Sequence, residues 1–200
     1  MKRFLDVILS ALVLVILLPL FIIISIIIAC ESRGGVIYAQ TRVGRYNKDF
    51  KLLKFRTMHT GSDQKGLITV GEHDSRITPF GYFLRKSKMD EFPQLLNIIK
   101  GDMSIVGPRP EVRHYVDMYT EEQMKVLSVR PGLTDFASLV YIDENKLLED
   151  QENPEEFYIQ EMMPRKVELH LKYIEQQSVK TDTILIFKTL KAIVSGKRLV

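Results

Sequence analysis

The sequence predicts a mixed α+β domain anchored to a membrane at its N-terminus, with helices around a small β-hairpin and amphipathic helices at the membrane interface. Three observations carry this. No charged residue occurs between Val7 and Cys30, a stretch of 24. Two short strand-like segments flank the turn formers Gly44 and Asn47, and the apolar residues beyond them recur at helical spacing. Strand content is too small for a doubly wound nucleotide-binding sheet.

The apolar N-terminal stretch comes first. A bilayer core of ~30 Å takes about 20 apolar residues as a helix, so this segment is long enough. It is too long for a signal-peptide core and no small-x-small cleavage site follows it, so it reads as retained. Pro19 lies near its middle, where a proline either kinks a spanning helix or breaks it into a re-entrant helix-break-helix. Each half holds about a dozen residues, or ~18 Å of helix, enough to enter and return but not to cross. Lys2 and Arg3 precede the segment, while Arg33, Arg42, Arg45, Lys48, Lys51, Lys54 and Arg56 follow it. Basic flanks on both sides place both ends in the cytoplasm, which favours the re-entrant reading. The chain thus divides into residues 1–32, a re-entrant membrane helix, and 33–200, a cytoplasmic domain. Setting the first part aside leaves roughly 170 residues, enough for one core.

The net charge of +3 is too small to argue for nucleic acid without a basic stripe and interleaved aromatics, which are missing. Cys30 is the single cysteine and cannot form an internal disulfide. The four histidines, His59, His73, His114 and His170, share no metal-ligand spacing with it, which argues against zinc.

Val36 to Gln40 and Phe50 to Phe55 are predicted as the hairpin strands. The second runs into Lys54-Phe55-Arg56-Thr57-Met58, whose cations suit either phosphate or a solvated strand face. Thr60 to Thr78 is polar and without period, a loop able to cover a ligand. Phe80, Phe83 and Leu84 then mark a short amphipathic helix carrying Arg85 and Lys86.

The segment Ser87-Lys88-Met89-Asp90-Glu91-Phe92-Pro93 follows. Proline is tolerated only in a first helical turn, so a helix is expected to begin with Asp90 as N-cap and Glu91 at its first position. Phe92, Leu95, Leu96 and Ile99 would form its buried face and Gly101 its stop. Adjacent carboxylates at the positive end of a helix dipole suit a phosphate-directed nucleophile or a divalent cation, and an N-cap alone explains Asp90 equally.

Beyond Gly101, two prolines bracket Arg109, which fixes its backbone for bidentate phosphate capture. Arg130 stands beside a rigid Pro131-Gly132 turn in the same manner. Either arginine could instead pair with Asp102 or Asp135. Residues 141 to 161 are acidic and read as a solvated helix-loop-helix insertion. Asp182 to Val194 is expected to be an N-capped amphipathic helix that lies in the interface with Lys188, Lys191, Lys197 and Arg198, or packs on the core.

Taken in order, the Pro19-containing segment, Lys54-Phe55-Arg56-Thr57-Met58, Asp90-Glu91 with Gln94-Leu95, Lys100-Gly101-Asp102-Met103-Ser104, Val106-Gly107-Pro108-Arg109-Pro110 and Arg130-Pro131-Gly132 resemble the bacterial sugar transferase family, the monotopic phosphoglycosyl transferases. The likeness covers the chain from its N-terminus to about residue 190 and is nearest to the small, PglC-type members made of the catalytic unit alone. It implies transfer of a phosphosugar from a UDP-sugar to undecaprenyl phosphate on the cytoplasmic face of the bacterial inner membrane, with release of UMP and initiation of a glycan. By that resemblance Asp90 is the nucleophile, forming a covalent phosphosugar intermediate. Glu91, beside Asp90, holds Mg²⁺ or assists proton transfer, and Lys54, Arg56, Arg85, Arg109 and Arg130 bind substrate phosphates. A homodimer is compatible with it.

Two segments depart from the family pattern. Thr134-Asp135-Phe136-Ala137-Ser138 replaces Thr-Gly-Trp-Ala-Gln, and His170 replaces an Asp; residue 170 is therefore not counted as catalytic. Two other classes are open to such a sequence. A conventional metal-dependent glycosyltransferase normally shows Asp-x-Asp, which does not occur here. A non-catalytic membrane scaffold would pair its arginines and carboxylates with each other rather than converge them on a cleft.

Overall fold

A computed structural model describes residues 1–62, 74–141 and 144–195. Residues 63–73, the centre of the loop expected at 60–78, lie outside the described residues, as do 142–143 of the acidic stretch and Lys197 and Arg198.

Helix α1 (Lys2–Glu31) is one helix with Pro19 inside it, where two half-helices about a break are predicted. Proline removes one hydrogen bond and crowds the carbonyl four residues back. Apolar residues on both sides carry the helix through, and a stripe along it packs on the domain: Leu14 and Leu17 against Leu52, Leu95 and Ile98, and Phe21, Ile24 and Ile28 against Phe55 and Leu84. Both ends are fastened to the same body. At the start, Lys2 pairs with Asp182 at 2.5 Å, Arg3 donates to the carbonyls of Ile98 and Ile99 at 2.6 and 3.0 Å, and the buried Asp6 accepts from Ser104 Oγ at 2.8 Å. At the end, Glu31 accepts from Phe80 N at 2.7 Å. The opposite face leaves large apolar side chains such as Phe4, Val15, Ile16 and Ile26 exposed.

Strands β1 (Ile37–Val43) and β2 (Asp49–Phe55) form the predicted antiparallel hairpin, in register from Ile37↔Phe55 to Val43↔Asp49. Thr78 caps α2 (Pro79–Lys86) by accepting from Gly81 N. Gly81 sits against the backbone of Thr57, where an added Cβ would come within 2.1 Å of a carbonyl oxygen.

Asp90 is not an N-cap. It lies in a 3-10 turn, Met89–Glu91, and α3 (Gln94–Lys100) begins after Pro93, ending at Gly101 in the left-handed region as predicted. The buried face of α3 is Leu95 and Ile98 with the polar Gln94 and Asn97, while Leu96 is exposed. This shift follows from β2. Asn97 accepts from Leu53 N at 2.9 Å and donates to Lys51 O at 2.8 Å, satisfying strand backbone that has no other neighbour there.

Strand β3 (Ser104–Val106) pairs in parallel with β4 (Gly132–Thr134). Their ends cross so closely that a Cβ on Gly132 would stand 2.1 Å from Gly107 N. Around them lie α4 (Arg113–Val116), α5 (Phe136–Val140), α6 (Glu144–Glu149), α7 (Pro154–Phe157), α8 (Met163–Glu175) and α9 (Val179–Ser195). The acidic stretch is helical as expected, but it contributes Leu148 and Tyr158 to a core with Val112, Tyr115 and Met163. Asp182 lies inside α9 rather than capping it, and its carboxylate takes Lys2 and Tyr173 instead.

Candidate active site

The turn that carries the two carboxylates is set between β2 and α3. Lys88 precedes it at φ 58°, a left-handed conformation that a non-glycine residue adopts only when its surroundings impose it. The turn aims Glu91 at cations from two distant elements. Lys54 Nζ, on β2, lies 3.0 Å from Glu91 Oε1, and Arg109 Nη2, from the loop after β3, lies 2.5 Å from the same oxygen. Burial alone would raise the Glu91 carboxyl, but Arg109 and Lys54 outweigh it and hold it far below the usual range. Burial in turn lowers the Lys54 ammonium, against the pull of Glu91 and Asp90.

Asp90 differs from its neighbour. It is buried, and among the described residues nothing donates a hydrogen bond to its carboxylate; Lys54 Nζ stands 4.0 Å from Oδ2. Burial raises its pKa, with Lys54 and Arg85 opposing. Arg85 on α2 is positioned by Thr57, whose Oγ1 accepts from Nε at 2.9 Å. Asp90, Glu91, Lys54, Thr57, Arg85 and Arg109 line one open cleft of about 1590 Å³. Its walls continue past Phe92 and Ile105 to Leu9 and Val13 on α1 and to Leu190 and Ile193 on α9.

Two of the expected phosphate ligands, Arg56 and Arg130, donate to backbone carbonyls of the fold. Arg56 touches the cleft wall, but its Nη2 donates to the carbonyls of Ile28 and Ser32 at 3.3 and 2.7 Å and to Ser32 Oγ at 3.0 Å. It serves carbonyls at the end of α1, where Ile28 O also accepts from Ser32 N at 3.3 Å. Arg130 is not on the cleft; its Nε donates to Gly101 O at 2.9 Å, closing the end of α3. Neither Arg109 nor Arg130 pairs with Asp102 or Asp135. The site also holds residues that the sequence did not single out. Thr57 sits within a stretch whose cations drew the attention, and Ser138 had no local signal. Asp135 and His170, both among the departures from the family pattern, touch each other at 3.2 Å, with His170 on the cleft wall and Asp135 fully buried behind it.

Among the described residues no group of three or more His, Cys, Asp or Glu side chains could hold a metal by itself. A small hard cation that takes one or two carboxylates and completes its shell with substrate phosphate and water does fit. The unbonded Asp90 carboxylate, next to Glu91, supplies that kind of donor set.

The family model for bacterial sugar transferases matches residues 1–196. The chain is 34% identical over 203 residues to a UDP-N-acetylgalactosamine-undecaprenyl-phosphate N-acetylgalactosaminephosphotransferase of Aeromonas hydrophila, covering 98% of this chain and 44% of that protein. It is 34% identical to a UDP-glucose:undecaprenyl-phosphate glucose-1-phosphate transferase of Escherichia coli, covering 95% and 39%. A protein of the same description from Caulobacter vibrioides is 33% identical, covering 97% and 70%. The chain spans about two fifths of the length of the first two relatives.

Proposed function

This chain belongs to the bacterial sugar transferase family, and from that premise we propose that it moves a phosphosugar from a UDP-sugar to undecaprenyl phosphate by way of an aspartyl-phosphosugar intermediate on Asp90. The observation that carries the proposal is a buried carboxylate that no group among the described residues hydrogen-bonds, set in a cleft with Lys54, Arg85 and Arg109. A scaffold has no use for that arrangement. The relatives' names supply the class of donor and acceptor.

In the first half-reaction an Asp90 carboxylate oxygen attacks the sugar-bearing phosphorus, and the bond from that phosphorus to the bridging oxygen breaks, so UMP leaves with the electron pair. In the second, a phosphate oxygen of the polyprenyl phosphate attacks the same phosphorus and returns Asp90 as a carboxylate. Neither half-reaction needs a general base, which agrees with carboxylates set among Lys54, Arg85 and Arg109. Splitting one displacement into two lowers each barrier, provided that the repulsion between anions is offset. Arg85 and Arg109 offset it with fixed guanidinium groups; Lys54 does so with a point charge. Glu91 holds Lys54 and Arg109 in place, which is why it must remain ionised. Mg²⁺, held by Glu91 and Asp90 oxygens with substrate phosphate, would add charge neutralisation.

The membrane part of the proposal rests on α1. Its outer face is apolar along the whole length, while both of its ends contact the same domain. A helix that crossed a bilayer would carry one end away from a domain on one side. We therefore read α1 as seated in the cytoplasmic face of the inner membrane with its apolar face towards the lipid, which sets the cleft at the depth of a lipid phosphate.

The test is intact-protein mass spectrometry of wild type and Asp90→Asn after incubation with a panel of UDP-sugars and Mg²⁺, without lipid. A phosphosugar adduct on wild type alone supports the reading. No adduct, and no UMP release once undecaprenyl phosphate is added, would sink it.

A further inference from the structure

At the cleft wall His170 forms a buried ionisable pair with Asp135 behind it, which the phosphate chemistry does not use. Asp135 follows β4 and caps α5, its Oδ1 accepting from Ser138 N at 2.9 Å and its Oδ2 from Ser138 Oγ at 2.6 Å. Oδ1 also faces Nε2 of His170, on α8, at 3.2 Å. Burial alone would raise the Asp135 carboxyl, but its hydrogen bonds from His170 and Ser138 help hold it down to about 2. An ionised carboxylate can only accept, so Nε2 carries a proton, and in the neutral ring Nδ1 then keeps its lone pair. Arg109 N lies 3.4 Å from the same Nε2. That contact is long and competes poorly with Asp135, but it places the ring directly behind the loop that carries the Arg109 guanidinium to Glu91.

His170 is 5% exposed and lines the cleft, and among the described residues Nδ1 has no partner. A bare acceptor facing a cleft next to phosphate-binding cations needs a donor from the ligand. Of the two substrates proposed above, the polyprenyl phosphate offers none, since its phosphate is an anion and its tail a hydrocarbon. The sugar nucleotide offers several, in the uracil N–H and the sugar hydroxyl or amide groups.

We infer that His170 Nδ1 accepts a hydrogen bond from an N–H or O–H of the sugar nucleotide, with Asp135 as the positioning residue that fixes the ring and its tautomer. His170 is thus a donor-substrate specificity residue, and this rests on the function proposed above.

Two substitutions separate the ring's nitrogens. His170→Asn sets an amide oxygen near the place of Nδ1 and gives up Asp135, whereas His170→Gln reaches Asp135 and empties the Nδ1 position. Steady-state UMP release by the full chain, in detergent with undecaprenyl phosphate, is the readout. His170→Gln is expected to raise KM for the UDP-sugar roughly five- to tenfold, the loss of one neutral hydrogen bond. His170→Asn should raise it less, and both should leave KM for undecaprenyl phosphate unchanged. Asp135→Asn, which no longer fixes the tautomer, should fall between them and carries the test if a residue 170 variant fails to fold.

The reverse order, or equal rises in both KM values, would overturn the inference and leave His170 as a support for Asp135 alone. Inhibition by UMP, measured in parallel, locates the donor group: a weakened UMP in the Gln variant puts it on the uracil, an unchanged one on the sugar. Wild type is assayed first, so that a failure of the proposed function, seen as no Asp90-dependent UMP release, is told apart from a failure of this inference.

Discussion

Glu91→Gln removes one negative charge from a pocket that holds two cations against it. Lys54 Nζ and Arg109 Nη2 converge on Oε1 at 3.0 and 2.5 Å, and the amide oxygen can still accept from both cations but brings no charge to offset theirs. Removing one partner of a buried pair costs ~3–5 kcal/mol. The Lys54 and Arg109 side chains retain 21% and 35% exposure, so water recovers part of that. The expected loss is ~2 kcal/mol. For a chain of this length that lowers the melting midpoint by roughly 4–8 °C. Scanning calorimetry of wild type and variant in detergent micelles, from pH 7 to pH 3.5, is the assay. Because the Glu91 carboxyl is held below its unfolded value, its stabilisation is complete above about pH 4.3 and fades as the pH falls towards the folded value. The gap between the two proteins should therefore be constant from pH 7 to pH 5 and narrow below. Equal midpoints at pH 7, or a gap that widens on acidification, would refute the claim that Glu91 anchors these cations.

Asp90→Asn should abolish UMP release while leaving the melting midpoint equal or higher, because the structure assigns Asp90 no capping bond and burial disfavours its charge; a drop of ~1 kcal/mol in stability would restore the N-cap reading. Arg109→Ala and Arg130→Ala should part company: the first loses most of the UMP release, while the second loses about 1 kcal/mol of stability from its bond to Gly101 O and keeps activity within a few-fold.

Several elements were legible locally. The hairpin strands, the stop at Gly101, the short helix carrying Arg85 and the apolar N-terminal segment each declare themselves within a dozen residues. The start of α3 was misplaced because the Pro93 rule constrains where a helix begins only to within a turn, and a 3-10 turn met the same constraint. Its buried face was misread because Asn97 is buried for the backbone of β2, a strand more than 40 residues away, and a polar residue carries no sign of such a partner.

The arginines show where the division lies. By itself the sequence determined that this is a membrane-associated member of its family with a carboxylate pair and rigidly held cations, because those features are written in runs, prolines and neighbouring residues. It did not decide which cations reach the carboxylate pair. Arg109 and Arg130 have nearly the same local setting, yet one reaches Glu91 and the other closes α3; Arg56 lies two residues from Lys54 and ties down α1 instead. A guanidinium on a long, flexible stem goes to whichever acceptors the fold leaves unpaired, and those acceptors belong to helix ends and turns far along the chain. The meeting of Asp135 with His170 is of the same kind, two side chains 35 residues apart whose contact exists only once α8 is packed behind the cleft.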